Sequence, residues 1–256
     1  TARTVDAVPL PESESAQATA MRLVRNYWGA YVAILPDPGR RTLALLVDPS
    51  GLFPVYRRMS QTHVVFASDT YLLGEVLGDR LKVDWAALAL FLRYPELRQK
   101  QTCLAGVEEL APGTLLVTGG TQELEQPVWS ASDYLPQGRA PSLGDAAAEL
   151  RELATRTCGA WTDLLGPVAV ATSGGVDSSF LCAALAAGDR DFGCITLATS
   201  DSSGDESDYA RLLADHLDAD VTRRVYDPAY YRPTACSSAG LSRPGRKGFL
   251  TAVDAL

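Results

Sequence analysis

The residues best suited to chemistry sit together in the run Val168-Ala169-Val170-Ala171-Thr172-Ser173-Gly174-Gly175-Val176-Asp177-Ser178-Ser179, ahead of an alanine-rich segment at 180–187. An apolar run, two glycines and a cluster of hydroxyls read as a buried strand, a tight turn and a helix start. A helix start carries unpaired backbone N–H groups and the positive end of the macrodipole, so it suits an anion. Gly174 and Gly175 permit unusual backbone angles and close approach of a phosphate. Ser173, Ser178 and Ser179 supply hydroxyl donors. Asp177 repels phosphates unless a cation lies between, and Mg²⁺ prefers that mixture of carboxylate and phosphate oxygens. The pattern therefore points to a nucleotide-phosphate site with magnesium. The plainer alternative is a Gly-Gly turn with a serine cap and nothing bound. No Lys follows the glycines as a Walker A loop requires, and the spacing is not G-x-G-x-x-G.

The surrounding elements have to hold that loop. Ser142-Leu143-Gly144-Asp145 has the form of a capping box. The helix it opens places Leu143, Ala147, Leu150, Ala154, Thr157 and Trp161 near a 3.6-residue period, a stripe expected to cover the sheet carrying the loop. After the loop's own helix, ended by Gly188, residues 192–198 predict a second strand, so the unit has βαβ length and parallel strands. Tyr209, Leu212, Leu213 and Leu217 mark another amphipathic helix, with His216 beside its core-facing leucines, and residues 221–226 a third strand. Ligands in such sheets bind beyond the carboxyl ends of the strands, the edge that holds residues 173–179 and 198–203. Asp201, Asp205, Glu206 and Asp208 read first as an acidic loop capping the 209–217 helix. A helix with basic residues at its beginning is expected over 243–256, with Arg243, Arg246 and Lys247 as a solvated basic patch.

Composition excludes several classes. The chain has 256 residues, 46% hydrophobic and 21% charged, with a formal net charge of −8. That balance suits a soluble globular protein and argues against a nucleic-acid footprint. No run of about 18 apolar residues occurs, so no transmembrane helix is expected. Cys103, Cys158, Cys182, Cys194 and Cys236 are widely spaced and form no C-x-x-C pair. With only His63 and His216 as imidazoles, zinc is unsupported and a reducing cytoplasm is expected.

The first half differs in texture. Residues 1–20 read as a poorly specified start. Short apolar runs at 31–35, 42–47, 54–57 and 63–67 alternate with Pro-Asp-Pro-Gly, Asp-Pro-Ser-Gly and Met-Ser-Gln-Thr turns, predicting antiparallel strands. Residues 69–77 predict a helix and 85–92 a mostly buried one. Residues 114–118 form an expected last strand before a proline-bearing stretch, 126–141, that suits a domain boundary.

Both halves together resemble the asparagine synthetase family. The second carries S-G-G-V-D-S-S, as in the PP-loop of ATP pyrophosphatases, and the strand Cys194-Ile195-Thr196-Leu197-Ala198. The first carries Trp28-Gly29-Ala30-Tyr31, Asp48-Pro49-Ser50-Gly51-Leu52-Phe53-Pro54-Val55-Tyr56, Phe66-Ala67-Ser68-Asp69 and residues 106–113 in the order of a class II glutamine-amidotransferase domain. The resemblance implies an α/β chain: an Ntn-type antiparallel domain over 1–130, degenerate because no nucleophilic cysteine or N-G-E-I-Y-N-like run opens it. A doubly wound parallel-sheet domain, adenine nucleotide α-hydrolase-like, then follows over 142–256 and is expected to be incomplete, since relatives continue through an S-G-D-G-A-D-E-like loop.

The resemblance also implies ATP and Mg²⁺. Ala171, Thr172, Ser173, Gly174, Gly175, Val176, Asp177, Ser178, Ser179, Ile195 and Leu197 would bind ATP and pyrophosphate, with Asp177 holding the metal. The general base is expected beyond Leu256. Within the family, the Trp28–Tyr31 and Asp48–Gly51 wording and residues 242–250 look most like the lasso peptide cyclases, which adenylate a precursor-peptide carboxylate and let an amine of the same peptide attack. The implied partners are a precursor peptide, a leader-binding protein and a leader peptidase, with no nucleic acid and no membrane. Asparagine synthetase, β-lactam synthetase, a PP-loop tRNA-modifying enzyme and a non-catalytic scaffold remain alternatives.

Overall fold

The computed structural model describes residues 14–37, 42–60, 63–97, 99–119, 123–135, 141–199, 205–226 and 242–243. Two compact units emerge, one of residues 14–135 with 242–243 and one of residues 141–226.

The first unit is built from helix α1 (Ala16–Asn26), strands β1 (Val32–Asp37), β2 (Thr42–Val47), β3 (Tyr56–Met59) and β4 (Val64–Ala67), helices α2 (Thr70–Leu77) and α3 (Trp85–Arg93), and strands β5 (Val107–Glu109), β6 (Thr114–Thr118) and β7 (Leu124–Pro127). They form a four-stranded sheet ordered β1-β2-β6-β7 and a three-stranded sheet ordered β4-β3-β5. Every pairing is antiparallel, as the turn spacing predicts. Leu45, Val47, Val55, Leu110 and Leu116 form the core on the larger sheet; Tyr56, Leu73 and Val107 form that of the smaller.

The Asp-Pro-Ser-Gly turn after β2 has a specific physical basis. Asp48 is fully buried. One carboxylate oxygen accepts the N–H groups of Ser50 (2.7 Å) and Gly51 (3.2 Å) and the Ser50 hydroxyl, and the other accepts the Tyr31 N–H at 3.3 Å. A buried charge is tolerable when its lone pairs are used in this way. Gly51 has φ +60°, and a Cβ there would lie 2.4 Å from Pro112 Cγ. Any other residue at 51 meets both a left-handed backbone and a wall of proline.

Three expectations for this unit are corrected. Residues 16–20 are helical, not a loose start: Ser15 accepts the Ala18 N–H, and Thr19, Ala20 and Leu23 are buried. Small and polar residues supply two of those three inward positions, which hides the stripe. Helix α3 buries none of its residues, and Trp85 and Leu92 stay 75% and 64% exposed, so apolar content did not mean burial. Strand β7 follows β6 and pairs with it, although its Leu-Glu-Gln-Pro sequence has little strand character.

Arg243 is no solvated patch either. Its guanidinium pairs with the Glu109 carboxylate and donates to the Gln99 and Gln101 carbonyls, the latter at 3.1 Å. The Arg243 and Glu109 side chains are 14% and 4% exposed. Beside them, Cys103 donates its N–H to the Ser242 carbonyl at 2.9 Å, and the Ser242 hydroxyl donates to the Tyr56 hydroxyl at 3.1 Å. Arg246 and Lys247, and the rest of the helix expected over 243–256, lie outside the described residues.

In the second unit, helix α4 (Leu143–Leu165) precedes strand β8 (Val168–Ala171), helix α5 (Val176–Ala187), strand β9 (Phe192–Thr199), helix α6 (Ser207–Leu217) and strand β10 (Asp220–Tyr226). The strands are parallel and lie side by side in the order β10-β9-β8. Cys182, Cys194 and Ala214 centre the core, joined by Val170, Phe192, Leu213, Leu217, Ala219 and Val221. The capping box is present: Ser142 Oγ accepts the Asp145 N–H at 3.2 Å and donates to the Asp145 carboxylate at 2.6 Å. The stripe is not where the period placed it. Leu143 and Leu150 are 87% and 55% exposed; α4 lies on α5, and its one buried residue is Gly159. A Cβ on Gly159 would touch the Arg190 guanidinium at 2.9 Å, so glycine lets Arg190 lie flat across α4 and pair with Asp163. On α6, Tyr209, Leu212 and His216 face outward, and the inward positions are Ala210, Leu213, Ala214 and Leu217.

Replacing Arg243 by Met leaves the Glu109 carboxylate buried without its cation. The expected loss is about 3–5 kcal/mol, read as a lowered urea midpoint with unchanged slope. Adding Glu109→Gln to that variant should recover part of it.

Candidate functional site

The strand-to-helix loop between β8 and α5 holds the residues with chemical potential. Thr172 anchors its entrance: its N–H donates to the Ile195 carbonyl at 2.8 Å and its hydroxyl to the Val170 carbonyl at 2.9 Å. That hydroxyl is turned inward, so Thr172 contributes backbone position. Ser173 Oγ accepts the Gly175 N–H at 3.3 Å. Ser178 Oγ accepts the Ser173 N–H at 3.4 Å and donates to the Gly175 carbonyl at 3.3 Å, which folds the loop over the helix start.

Gly174 is the tightest point. It has φ +74°, and a Cβ on it would lie 2.4 Å from Tyr209 Cβ and 2.9 Å from the Tyr209 carbonyl carbon. Tyr209 belongs to the first turn of α6, so the loop is pressed against the beginning of a second helix. Glycine is required on both steric and backbone grounds. Gly175 is the N-cap of α5, with extended backbone and no side chain capping the helix. The first-turn N–H groups of α5 are therefore available to an incoming acceptor. Asp177 stands exposed in that turn, and its carboxylate has no partner among the described residues.

The sheet register adds a floor. Ala171 pairs with Ile195 across β8 and β9. Ile195 and Leu197 are half-buried and alternate with the buried Cys194, Thr196 and Ala198. Ala171, Ile195 and Leu197 thus share the sheet face opposite the α5 and α6 core. The structure brings Ser173–Ser179, one uncapped helix start and three small or apolar strand positions to the carboxyl edge of one parallel sheet. Val176 is 86% exposed and offers only its backbone.

This donor set fits a polyphosphate with magnesium. Free N–H groups and a glycine cradle accept anionic oxygens, and one exposed carboxylate suffices for Mg²⁺ when phosphates complete its shell. No cluster of three or more His, Cys, Asp or Glu forms a metal site by itself among the described residues.

Residue types alone did not single out Ser207, Tyr209 and Arg223. Asp205 accepts the Ser207 N–H at 2.9 Å and also its hydroxyl, and pairs with Arg223 at 2.7 Å. Arg223 Nε donates to Ser207 Oγ at 3.0 Å. The Ser207 hydrogen bond and the Arg223 guanidinium hold the Asp205 carboxyl down at about 2. Asp205 does cap the helix, as the sequence suggests; Asp201 lies outside the described residues. The signal that could have revealed Tyr209 is Gly174 itself, since a glycine forced to positive φ implies a close neighbour.

Cys103, Cys158, Cys182 and Cys194 are free thiols. Cys182 and Cys194 touch at 3.9 Å behind the loop. Burial pushes the Cys182 thiol up to about 11.

Among the described residues, no helix is long and apolar enough to cross a membrane. Residues 15–129 match the family described as glutamine amidotransferase domain, and residues 149–233 match the family described as asparagine synthase. The two matches, in this order, support the asparagine synthetase family and, with it, an ATP-dependent ligase. No curated protein matches the chain.

Gly174→Ala should cost about 1–3 kcal/mol through its strained φ and the Tyr209 clash, measured as a lowered melting temperature. Cys182 gives a pH dependence of known sign. Its thiol is held above the ordinary 9.0, so its stabilising effect is complete below pH 9 and lost as pH rises through about 11. Denaturant midpoints measured from pH 8 to 11 should fall, and Cys182→Ser should flatten that fall.

Proposed function

We propose that this chain is an ATP-dependent, AMP- and pyrophosphate-forming carbon–nitrogen ligase that closes an isopeptide macrolactam within a precursor peptide. The observation that carries the ligase reading is the uncapped start of α5, with Gly174 at φ +74° wedged against Tyr209 and Asp177 free beside it. In this reading residues 1–130 form an amidotransferase-like domain on an Ntn-type fold, and residues 142–256 bind the nucleotide on a PP-loop fold.

The chemistry has two steps. A substrate carboxylate attacks the α-phosphorus of ATP, releasing pyrophosphate and leaving an acyl-adenylate. An amine of the same peptide then displaces AMP. The N–H groups of the 174–177 turn and the Ser173, Ser178 and Ser179 hydroxyls orient the phosphates. Ala171, Ile195 and Leu197 flank the adenosine, with Thr172 fixing the strand end between them. Asp177 would hold Mg²⁺, and the ion would supply positive charge against the phosphate oxygens. Positioning and charge neutralisation supply most of the rate in such transfers.

The choice of a peptide amine over ammonia rests on the wording at Trp28–Tyr31 and Asp48–Gly51, which resembles lasso peptide cyclases. A precursor peptide, a leader-binding protein and a leader peptidase are the proposed partners, in the cytoplasm where free thiols persist.

Pyrophosphate–ATP exchange tests the reading. A precursor peptide, but not free aspartate, should stimulate exchange; stimulation by no carboxylate would overturn the enzyme assignment. Asp177→Asn should lower exchange by at least about a hundredfold with circular dichroism and melting temperature unchanged, because the carboxylate is exposed and has no partner among the described residues.

A further inference from the structure

The proposed nucleotide edge has carboxylates beside it other than Asp177. Asp205 and Asp208 both lie at the start of α6, the helix whose first turn presses on Gly174. Asp208 is paired with Arg211 on its own helix at 2.9 Å and is 95% exposed, so water screens it. Asp205 is different. Its side chain is 26% exposed and locked in place by Ser207 and Arg223. Ser207 and Tyr209 are two residues apart on the helix, and Tyr209 abuts the loop. The Asp205 carboxylate therefore lies no more than about 13 Å from Gly174 along this path.

Arg223 comes from another element. Its position on β10 pairs with Thr196 on β9, so it sits on the sheet face covered by α5 and α6. From there one guanidinium nitrogen reaches Asp205 at 2.7 Å and another reaches Ser207 at 3.0 Å. The bond to Ser207 fixes the helix start; the bond to Asp205 cancels its charge. A planar, two-pronged donor can do both at once.

We infer that Arg223 is a positioning residue for the nucleotide: it acts through Asp205 and Ser207, neutralising a carboxylate at the start of the helix that abuts the phosphate loop and holding α6 against Gly174. It touches no reacting atom. This inference rests on the proposed ATP-binding role of the loop, and its effect is on ATP affinity more than on turnover. With Arg223 removed, Asp205 remains as an uncompensated negative charge facing a polyanion. Removing Asp205 as well takes the repulsion away. Ordinary loss of packing predicts the opposite, a double variant no better than the single one.

The test is a titration of the purified full chain with Mg²⁺-ATP by calorimetry, alongside exchange kinetics. Arg223→Met should weaken ATP binding by about tenfold at low salt, with the deficit shrinking at high ionic strength. The same variant should raise KM for ATP and leave kcat within about twofold. Arg223→Lys keeps the charge and should restore most of the affinity despite losing the fork. Arg223→Met with Asp205→Asn should bind ATP more tightly than Arg223→Met alone. Equal binding by wild type and Arg223→Met, or a double variant that binds no better than the single, overturns this inference while the ATP reading stands. A wild-type chain that takes up no ATP at millimolar concentration overturns both. Should Arg223→Met fail to fold, Asp205→Asn alone decides: unchanged or tighter ATP binding supports the inference, and weaker binding with an unchanged melting temperature overturns it.

Discussion

The contact between Gly174 and Tyr209 is the constraint on which the second unit's chemistry depends. Two helices begin at the carboxyl edge of the same sheet, and the loop joining β8 to α5 runs between them. A left-handed glycine without a side chain is the only backbone that fits. Once that fit is made, the start of α5 is left uncapped, and the Ser173 and Ser178 hydroxyls close the loop upon itself. The uncapped helix start thus follows from steric necessity. The Ser173 and Ser178 hydroxyls set the shape of the loop, and in the proposed role they meet the ligand together with the first-turn backbone donors of α5.

The parallel sheet supports this arrangement from behind. Cys182, Cys194 and Thr172 meet beneath the loop, so the floor is small, soft and dry. Arg190, laid across Gly159, ties α4 to the far end of α5 through Asp163. The first unit uses the same device on a different scale. Asp48 gathers backbone donors around a buried carboxylate, and Gly51 turns the chain past Pro112. In both units a glycine at positive φ lies beside a group that accepts backbone N–H bonds.

Much of this was legible in the sequence because it is local. S-G-G-V-D-S-S carries its own turn, cap and charge; the Ser142 capping box and the alternation around the Asp-Pro-Ser-Gly turn are short-range signals too. What escaped was set by tertiary context. The apolar face of α3 stays exposed, and α4 buries Gly159 where its leucines suggested otherwise. Helix period shows that a face exists without saying what covers it. Arg223 could not be linked to Asp205 because strand pairing, not sequence distance, brings them together. Strand β7 was missed since Leu-Glu-Gln-Pro owes its pairing to β6 and not to its own propensity.

The Arg243 clasp has a consequence for the order of folding. Its partner Glu109 lies 134 positions earlier in the chain, and strands β8, β9 and β10 are encoded between them. A ribosome releases residues in order, at about 5–20 per second. For that interval the early unit holds Glu109 without Arg243 and the 99–103 backbone without three of its hydrogen bonds. Long-range closure of this kind is slow and comes late. The antiparallel unit is thus begun before strands β8, β9 and β10 and gains this clasp only after them, with those strands free to fold in the meantime.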